Sequence, residues 1–277
     1  MFLTVKKVLL LCILPCLFLF ACSAPPLPET ESSTPSNPPV IDAPSPVPTP
    51  NVWATDKVDI SHVRKDKKLI ALTFDDAPTK KLGALLDVFL THNNAHPDCP
   101  ATATLFCNGY ALTAPRKETL YTAFAMGMEL GNHTFSHRDL TALSSEELDG
   151  EIDAVDVALQ EIDGQKRHLF RAPYGRISDE VVKRVDAPII DWYIDTNDWK
   201  GLSPQGLVER VLDRLQDGAI VLMHDGYDET IEGVERLLNV LDEKGYQAVT
   251  VSQMAKAHGC LLRTGKVYTR ARKQHRI

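Results

Sequence analysis

From about residue 68 onward, short apolar runs alternate with segments of helical periodicity, and this alternation narrows the possible folds more than any other feature of the chain. Leu69 to Phe74 has the length and composition of a buried strand, whereas Leu82, Leu85, Leu86, Phe89 and Leu90 recur at helical spacing. Further strands are predicted over Thr102 to Cys107, Met128 to Asn132, Leu169 to Arg171, Ile189 to Ile194, Ala219 to His224 and Gln247 to Val251. Helices fall between them, over Arg116 to Met126, Ser178 to Val185 and Glu229 to Lys244, the last stopped by Gly245. Ser144 and Glu147 have capping-box spacing before Leu148, Ile152, Val155 and Leu159, and Ser203-Pro204 is an N-cap and first-turn pair for a helix to Leu215. A short last helix runs to His258. Strands each followed by a helix imply a parallel sheet covered by helices, with a barrel favoured over an open sheet.

The N-terminus reads as an address. Lys6 and Lys7 precede an apolar run from Val8 to Phe20, too short to span a bilayer but suited to a signal peptide. Leu19-Phe20-Ala21-Cys22 resembles the lipobox of bacterial lipoproteins, which implies acylation of Cys22 and a lipid anchor on the extracytoplasmic face of the membrane; simple secretion is the alternative. Between Ser23 and Pro50 there are ten prolines and no Lys or Arg, a composition that cannot bury a core and reads as an extended tether. The expected organisation is a signal peptide over 1–21, the acylated cysteine and tether over 22–50, a folded body over 51–262 and a basic tail over 263–277.

Charge is unevenly placed. The body carries 22 Lys and Arg against 34 Asp and Glu, a balance that repels a nucleic-acid backbone. From Arg263 onward there are six basic residues and no acid. That stretch could touch an anionic surface, although a frayed solubilising tail is the favoured expectation. Nothing in the sequence implies a protein partner.

The strand ends carry the chemistry. Strand one runs into Asp75-Asp76, strand three into His133 and His137, strand four into Arg171, strand five into Asp195 and Asp198-Trp199, and strand six into His224. In parallel barrels this is the face where sites are built. Adjacent carboxylates after a buried strand call for a cation or a shared proton. His133 and His137, four apart, are expected on one face of a helical turn. With one carboxylate they make a three-ligand site with an open position, the pattern of a catalytic zinc. The other histidines, His62, His92, His96, His168, His258 and His275, read as surface or linker residues.

Taken together, Thr73-Phe74-Asp75-Asp76-Ala77-Pro78, Gly131-Asn132-His133-Thr134-Phe135-Ser136-His137, Arg171-Ala172-Pro173-Tyr174-Gly175, Asp195-Thr196-Asn197-Asp198-Trp199 and Ile220-Val221-Leu222-Met223-His224 resemble the five ordered motifs of the polysaccharide deacetylases, the NodB homology domain of carbohydrate esterase family four. The resemblance covers about Lys68 to Val251, with Ala77 where the family usually has glycine. It implies an α/β fold, a distorted (β/α) barrel of about seven parallel strands, and metal-dependent removal of acetyl groups from a polysaccharide. By motif position it implies Asp76, His133 and His137 as ligands of a divalent ion, zinc in the first place with cobalt or manganese as alternatives. Asp75 becomes the general base, held by Arg171, and His224 the general acid, held charged by Asp198. The backbone N–H of Tyr174 is an oxyanion donor, and Pro173, Tyr174, Trp199 and Leu222 receive the substrate. The expected activity is N-deacetylation of an N-acetylglucosamine-containing polymer, peptidoglycan or a chitin-like oligomer, with O-acetyl ester hydrolysis and glycan binding without turnover as alternatives. A Cys99–Cys260 disulfide is also expected, because eight extended residues separate Cys99 from Cys107, too far for a bridge.

Overall fold

The computed structural model describes residues 52–272; the predicted signal peptide, Cys22 and the tether up to Pro50 lie outside the described residues. Nine parallel strands form one curled sheet: β1 Lys68–Ala77, β2 Thr104–Cys107, β3 Glu129–Asn132, β4 Leu169–Phe170, β5 Ile189–Ile190, β6 Ile194–Asp195, β7 Ala219–His224, β8 Tyr246–Ala248 and β9 Val267–Tyr268. Their order is β6-β7-β1-β2-β3-β4-β5-β9, with β8 also paired to the start of β1. The helices are α1 Leu82–Ala95, α2 Ala114–Ala125, α3 Ser145–Asp163, α4 Asp179–Arg184, α5 Pro204–Asp213, α6 Asp228–Glu243 and α7 Val251–Ala257. The predicted capping box at Ser144 and Glu147 and the Ser203 cap are both present. None of the described helices is long and apolar enough to cross a membrane.

The period of two along β1 organises the interior. Ile70, Leu72 and Phe74 point outward into the layer of α1, α5 and α6, whereas Leu69 and Ala71 point into the barrel. Inside, Leu69 and Ala71 meet Phe106, Leu169, Ile190 and Ile220, and Val251, Met254 and Ala255 of α7 close the barrel from below. The plug is pinned by polar contacts at the strand starts. Thr104 Oγ1 accepts the Val251 N–H at 3.0 Å, and Glu129 accepts from Ser252 N–H at 3.2 Å and from Thr104 at 2.8 Å. Two residues further along β1 the inward positions turn polar, at Thr73 and then Asp75. The lower barrel is thus an apolar core and the upper end a site.

Three expectations need correction. The strand predicted from Ile189 to Ile194 is two strands, because the chain leaves β4 and β9 at Asp191 and crosses to β7, where Tyr193 N–H donates to Ile220. The basic tail is folded as far as residue 272. Val267–Tyr268 pairs with β5, and Ala271 N–H donates to Gly218 at 3.0 Å, so backbone pairing captures a segment that hydropathy marked as frayed. Cys99, Cys107 and Cys260 are all free: Cys99 lies beside Asp242 and Tyr246, whereas Cys260 lies beside Arg263 and Tyr268.

His168 is a further correction, for it is buried rather than at the surface. Its Nδ1 faces Asp156 at 2.8 Å and its Nε2 faces Asp163 at 3.1 Å. Burial works against the charged ring, but hydrogen bonds to the two carboxylates outweigh it and raise His168 to about 9. The signal was present in the sequence: Asp156 and Asp163, seven apart, share the apolar face of α3 with Leu148, Ile152, Val155 and Leu159, and acids on a buried face require a cation. Because the folded pKa lies above the ordinary 6.5, this stabilisation is complete below about pH 6.5 and is lost as pH rises through about 9. Urea unfolding should therefore show a loss on the order of 3 kcal/mol across that interval. His168→Gln should remove that share of the pH dependence.

Candidate active site

Every non-glycine residue with a left-handed backbone among the described residues lies at the C-terminal end of a strand or in the loop that follows one: Asp76, Thr134, His137, Tyr174 and Asn197, with φ between 53 and 70°. Such conformations cost about 1 kcal/mol or more each and persist where the surroundings over-determine them. Three of them, Asp76, His137 and Tyr174, line one cleft of about 460 Å³ at the top of the barrel.

The bend at Asp76 follows an irregularity in the β1–β2 pairing between Phe74 and Ala77, which separates two consecutive carboxylates. Asp75 stays in register opposite His224 and is buried; Asp76 turns outward to face the two histidines. His133 and His137 do not lie on a helical turn as expected. They sit in a loop folded back on itself by the left-handed residues Thr134 and His137, which brings the rings to 5.0 Å between centroids. Neighbouring elements clamp this loop. Asn132 Oδ1 accepts the Thr134 N–H at 2.9 Å, and Asn108 Nδ2 donates to the His133 carbonyl at 2.7 Å. Glu151 of α3 takes the Ser136 N–H at 2.7 Å. Gly109 is required beneath it, because a Cβ there would sit 2.2 Å from the Phe135 ring.

The three predicted ligands come together. His133 Nδ1 lies 2.8 Å from the Arg171 carbonyl, which can only accept; the proton is therefore on Nδ1, and Nε2 turns a lone pair to the cleft. From Asp76 Oδ1 to His137 Nε2 is 3.4 Å and to His133 Nε2 is 3.9 Å. Ligands about 2.0–2.1 Å from a tetrahedral zinc stand about 3.4 Å apart, so this spacing suits one ion. Asp76 Oδ1 is buried and has no hydrogen-bond partner, which a cation would supply. Burial and the adjacent His133 lower the pKa of His137, favouring the neutral ring that can ligate.

The remaining polar groups form two supported pairs. Arg171 Nη1 donates to Asp75 at 2.7 Å and to Thr73 Oγ1 at 2.7 Å. Burial alone would raise the Asp75 pKa; the charge of Arg171 foremost outweighs it and holds the carboxyl below its ordinary value. His224 Nδ1 meets Asp198 Oδ1 at 2.8 Å, and the other Asp198 oxygen accepts the His224 N–H and the Thr230 hydroxyl, both at 2.8 Å. Burial opposes charge on His224, but Asp198, with Asp75 and Asp76 behind it, raises it to about 9.

The apolar wall differs in part from expectation. Leu222 is 5% exposed at the floor, whereas Trp199 is 52% exposed and forms a rim. Pro173 is buried and is not part of the cleft wall; it opens the turn that presents the exposed Tyr174. Trp192 and Tyr227 line the cleft and were not foreseen. Trp192 was hidden inside an apparently continuous strand, although the polar Asp191 within that run was a signal of its break. Asp225 was missed as well. Its Oδ2 accepts the Thr79 N–H at 2.9 Å, tying the loop after Asp76 to the end of β7.

A model of the family described as polysaccharide deacetylase matches residues 62–187. The chain is 34% identical to the peptidoglycan-N-acetylmuramic acid deacetylase PdaC of Bacillus subtilis over 69% of its length and 40% of that protein. It is 32% identical to the peptidoglycan-N-acetylglucosamine deacetylase PgdA of Listeria monocytogenes over 74% of its length and 42% of that protein. It thus spans about two fifths of these curated relatives. Among solved structures it resembles the T48 deacetylase with substrate, at a TM-score of 0.67 and 32% identity, covering 73% of this chain and 96% of that one.

His133→Ala and Asp76→Ala should each weaken zinc uptake by more than about 100-fold in calorimetric titration, since each removes a ligand rather than a supporting contact. Wild-type affinity in either variant would refute the ligand set.

Proposed function

The chain belongs to the polysaccharide deacetylase family, and from its cleft we propose that it hydrolyses N-acetyl groups on an N-acetylglucosamine-containing polymer of the cell envelope, peptidoglycan foremost. The observation that carries this reading is the pairing of a buried, Arg-held carboxylate and an Asp-held imidazolium on adjacent strands, beside three groups spaced for one ion. The peptidoglycan deacetylases among its relatives support the polymer class.

Asp76, His133 and His137 would hold a divalent ion, zinc by the nitrogen-rich donor set, with cobalt or manganese able to occupy the same ligands. Such an ion acts as a Lewis acid that makes water acidic and polarises an acetyl carbonyl. The chain's own residues supply the rest. Asp75 is ionised and takes the proton of the attacking water, and Arg171 keeps it in place and prevents it from holding that proton at rest. The Tyr174 N–H is the donor assigned to the developing oxyanion. On the far side His224 delivers its proton to the departing sugar amine, a poor leaving group without one, and Asp198 keeps the ring charged until then. Leu222 and the Trp199 rim bound the space for the acetyl methyl. We further propose that Cys22 is acylated and that the residues up to Pro50 tether this body to the extracytoplasmic face of a membrane.

Acetate release from purified peptidoglycan and from a chito-oligosaccharide, with and without chelator, tests the activity. Release from acetylated xylan alone would favour the ester hydrolase, and none from any of the three would leave a glycan-binding protein. Asp75→Asn should lower turnover roughly 10²- to 10⁴-fold with zinc content unchanged. Asp198→Asn should move the alkaline limb of the rate profile down. His224 is the charged acid below its pKa of about 9, and losing the carboxylate that raises it brings deprotonation to lower pH. An alkaline limb unchanged in this variant would remove His224 as the acid.

A further inference from the structure

The end of the barrel remote from the cleft carries a second surface that catalysis does not use. Two of the exposed large apolar side chains lie on it: Val52 and Leu261, at 49 and 60% exposure. They belong to one backbone cluster. Val52 pairs with Arg263, and Trp53 N–H donates to the Leu262 carbonyl at 2.8 Å. The Tyr268 hydroxyl accepts from Arg263 N–H at 2.9 Å and donates to the Leu261 carbonyl at 3.2 Å. Around these apolar residues stand Arg263, Lys266, Arg270 and Arg272, three of which line a cleft of about 340 Å³ with Leu261. Among the described residues, Asp217 faces His258 at 3.2 Å and Arg272 at 3.8 Å. Arg270 donates to Gln216 and stacks on Tyr193, which fixes its position without cancelling its charge. This basic ring lies on a body in which acids outnumber bases 34 to 22.

Place and polarity agree. Arg270 bridges Ala219, the first residue of β7, and His224 is the last residue of the same strand, about 16 Å away at strand rise. The segment that precedes Val52, with Cys22 as its proposed lipid anchor, joins the body on this face. Apolar side chains that can reach below a headgroup layer, inside a ring of arginine and lysine, are the composition of an interfacial membrane contact. We propose that this face docks on an anionic phospholipid surface, with Val52 and Leu261 entering the interface and Lys266, Arg270 and Arg272 meeting phosphate, so that the cleft opens away from the membrane. This goes beyond the catalytic reading and does not depend on it.

The test is co-sedimentation of the full chain with phosphatidylcholine vesicles and with vesicles that also contain phosphatidylglycerol. The apolar N-terminal run is common to both arms, so the gain on adding phosphatidylglycerol reports the basic face. The expected gain is at least about tenfold, screened by salt and lost in the Lys266→Glu, Arg270→Glu, Arg272→Glu variant. Zinc uptake and thermal unfolding check that this variant is folded. Should it unfold, Leu261→Asp, at an exposed position, must lower partition onto the mixed vesicles. Equal partition of the wild type on both vesicles would overturn the proposal, as would a gain that survives charge reversal or an unchanged Leu261→Asp. Binding to soluble polyphosphate without any gain on anionic vesicles would also overturn it and assign the face to a phosphate polymer.

Discussion

A guanidinium fully enclosed in a barrel must find partners for all its donors, and Arg171 finds them in three strands. It donates to Asp75 and Thr73 of β1 and to the Ile190 carbonyl of β5, and it lies over the Phe106 ring of β2 at 4.1 Å. Thr73 can accept because its own hydroxyl proton goes to Val221 of β7 at 2.6 Å. The backbone carbonyl of Arg171 receives the Nδ1 proton of His133. One residue therefore fixes the base through its side chain and the tautomer of a ligand through its carbonyl. Removing a partner from such a buried pair typically costs about 3–5 kcal/mol because a charge is left uncompensated. The upper barrel and the chemistry proposed for it thus depend on the same contacts.

The parts of the fold legible in the sequence were those with a strong period. The β1 run, the helices opened by Ser144 and Ser203, and the apolar β7 run fall where spacing predicts them. The parts that escaped prediction are held by tertiary contacts with no local pattern. Val267–Tyr268 is a two-residue strand among basic residues, formed because the edge of β5 offers unpaired backbone. The break at Trp192 comes from a chain crossing the barrel mouth. The same division runs through the site. Strand-end position identified Asp75, Asp76, His133, His137, Arg171, Asp198 and His224, all of which converge. The loop geometry of the histidines and the aromatic walls Trp192 and Tyr227 depend on backbone bends that no periodicity announces.

Those bends place strain at one end of the molecule, while the other end is regular and closed by a helix. The five left-handed residues are affordable because the lower barrel is packed with Leu69, Ala71, Phe106, Ile190 and Ile220 against α7. Rigidity below permits unusual geometry above. Loops held by side-chain contacts from two neighbouring elements, as the His133–His137 loop is held from β2 and α3, can present ligands without waiting for a ligand to order them.

The packing of the barrel beneath Asp75 has one more consequence. Below the cleft lie the Arg171 and Phe106 layer, then the apolar layer, then the α7 plug, which among the described residues fill the barrel beneath the site. On the proposed chemistry the attacking water must therefore arrive, and the freed acetate leave, through the same open mouth across which the polymer lies.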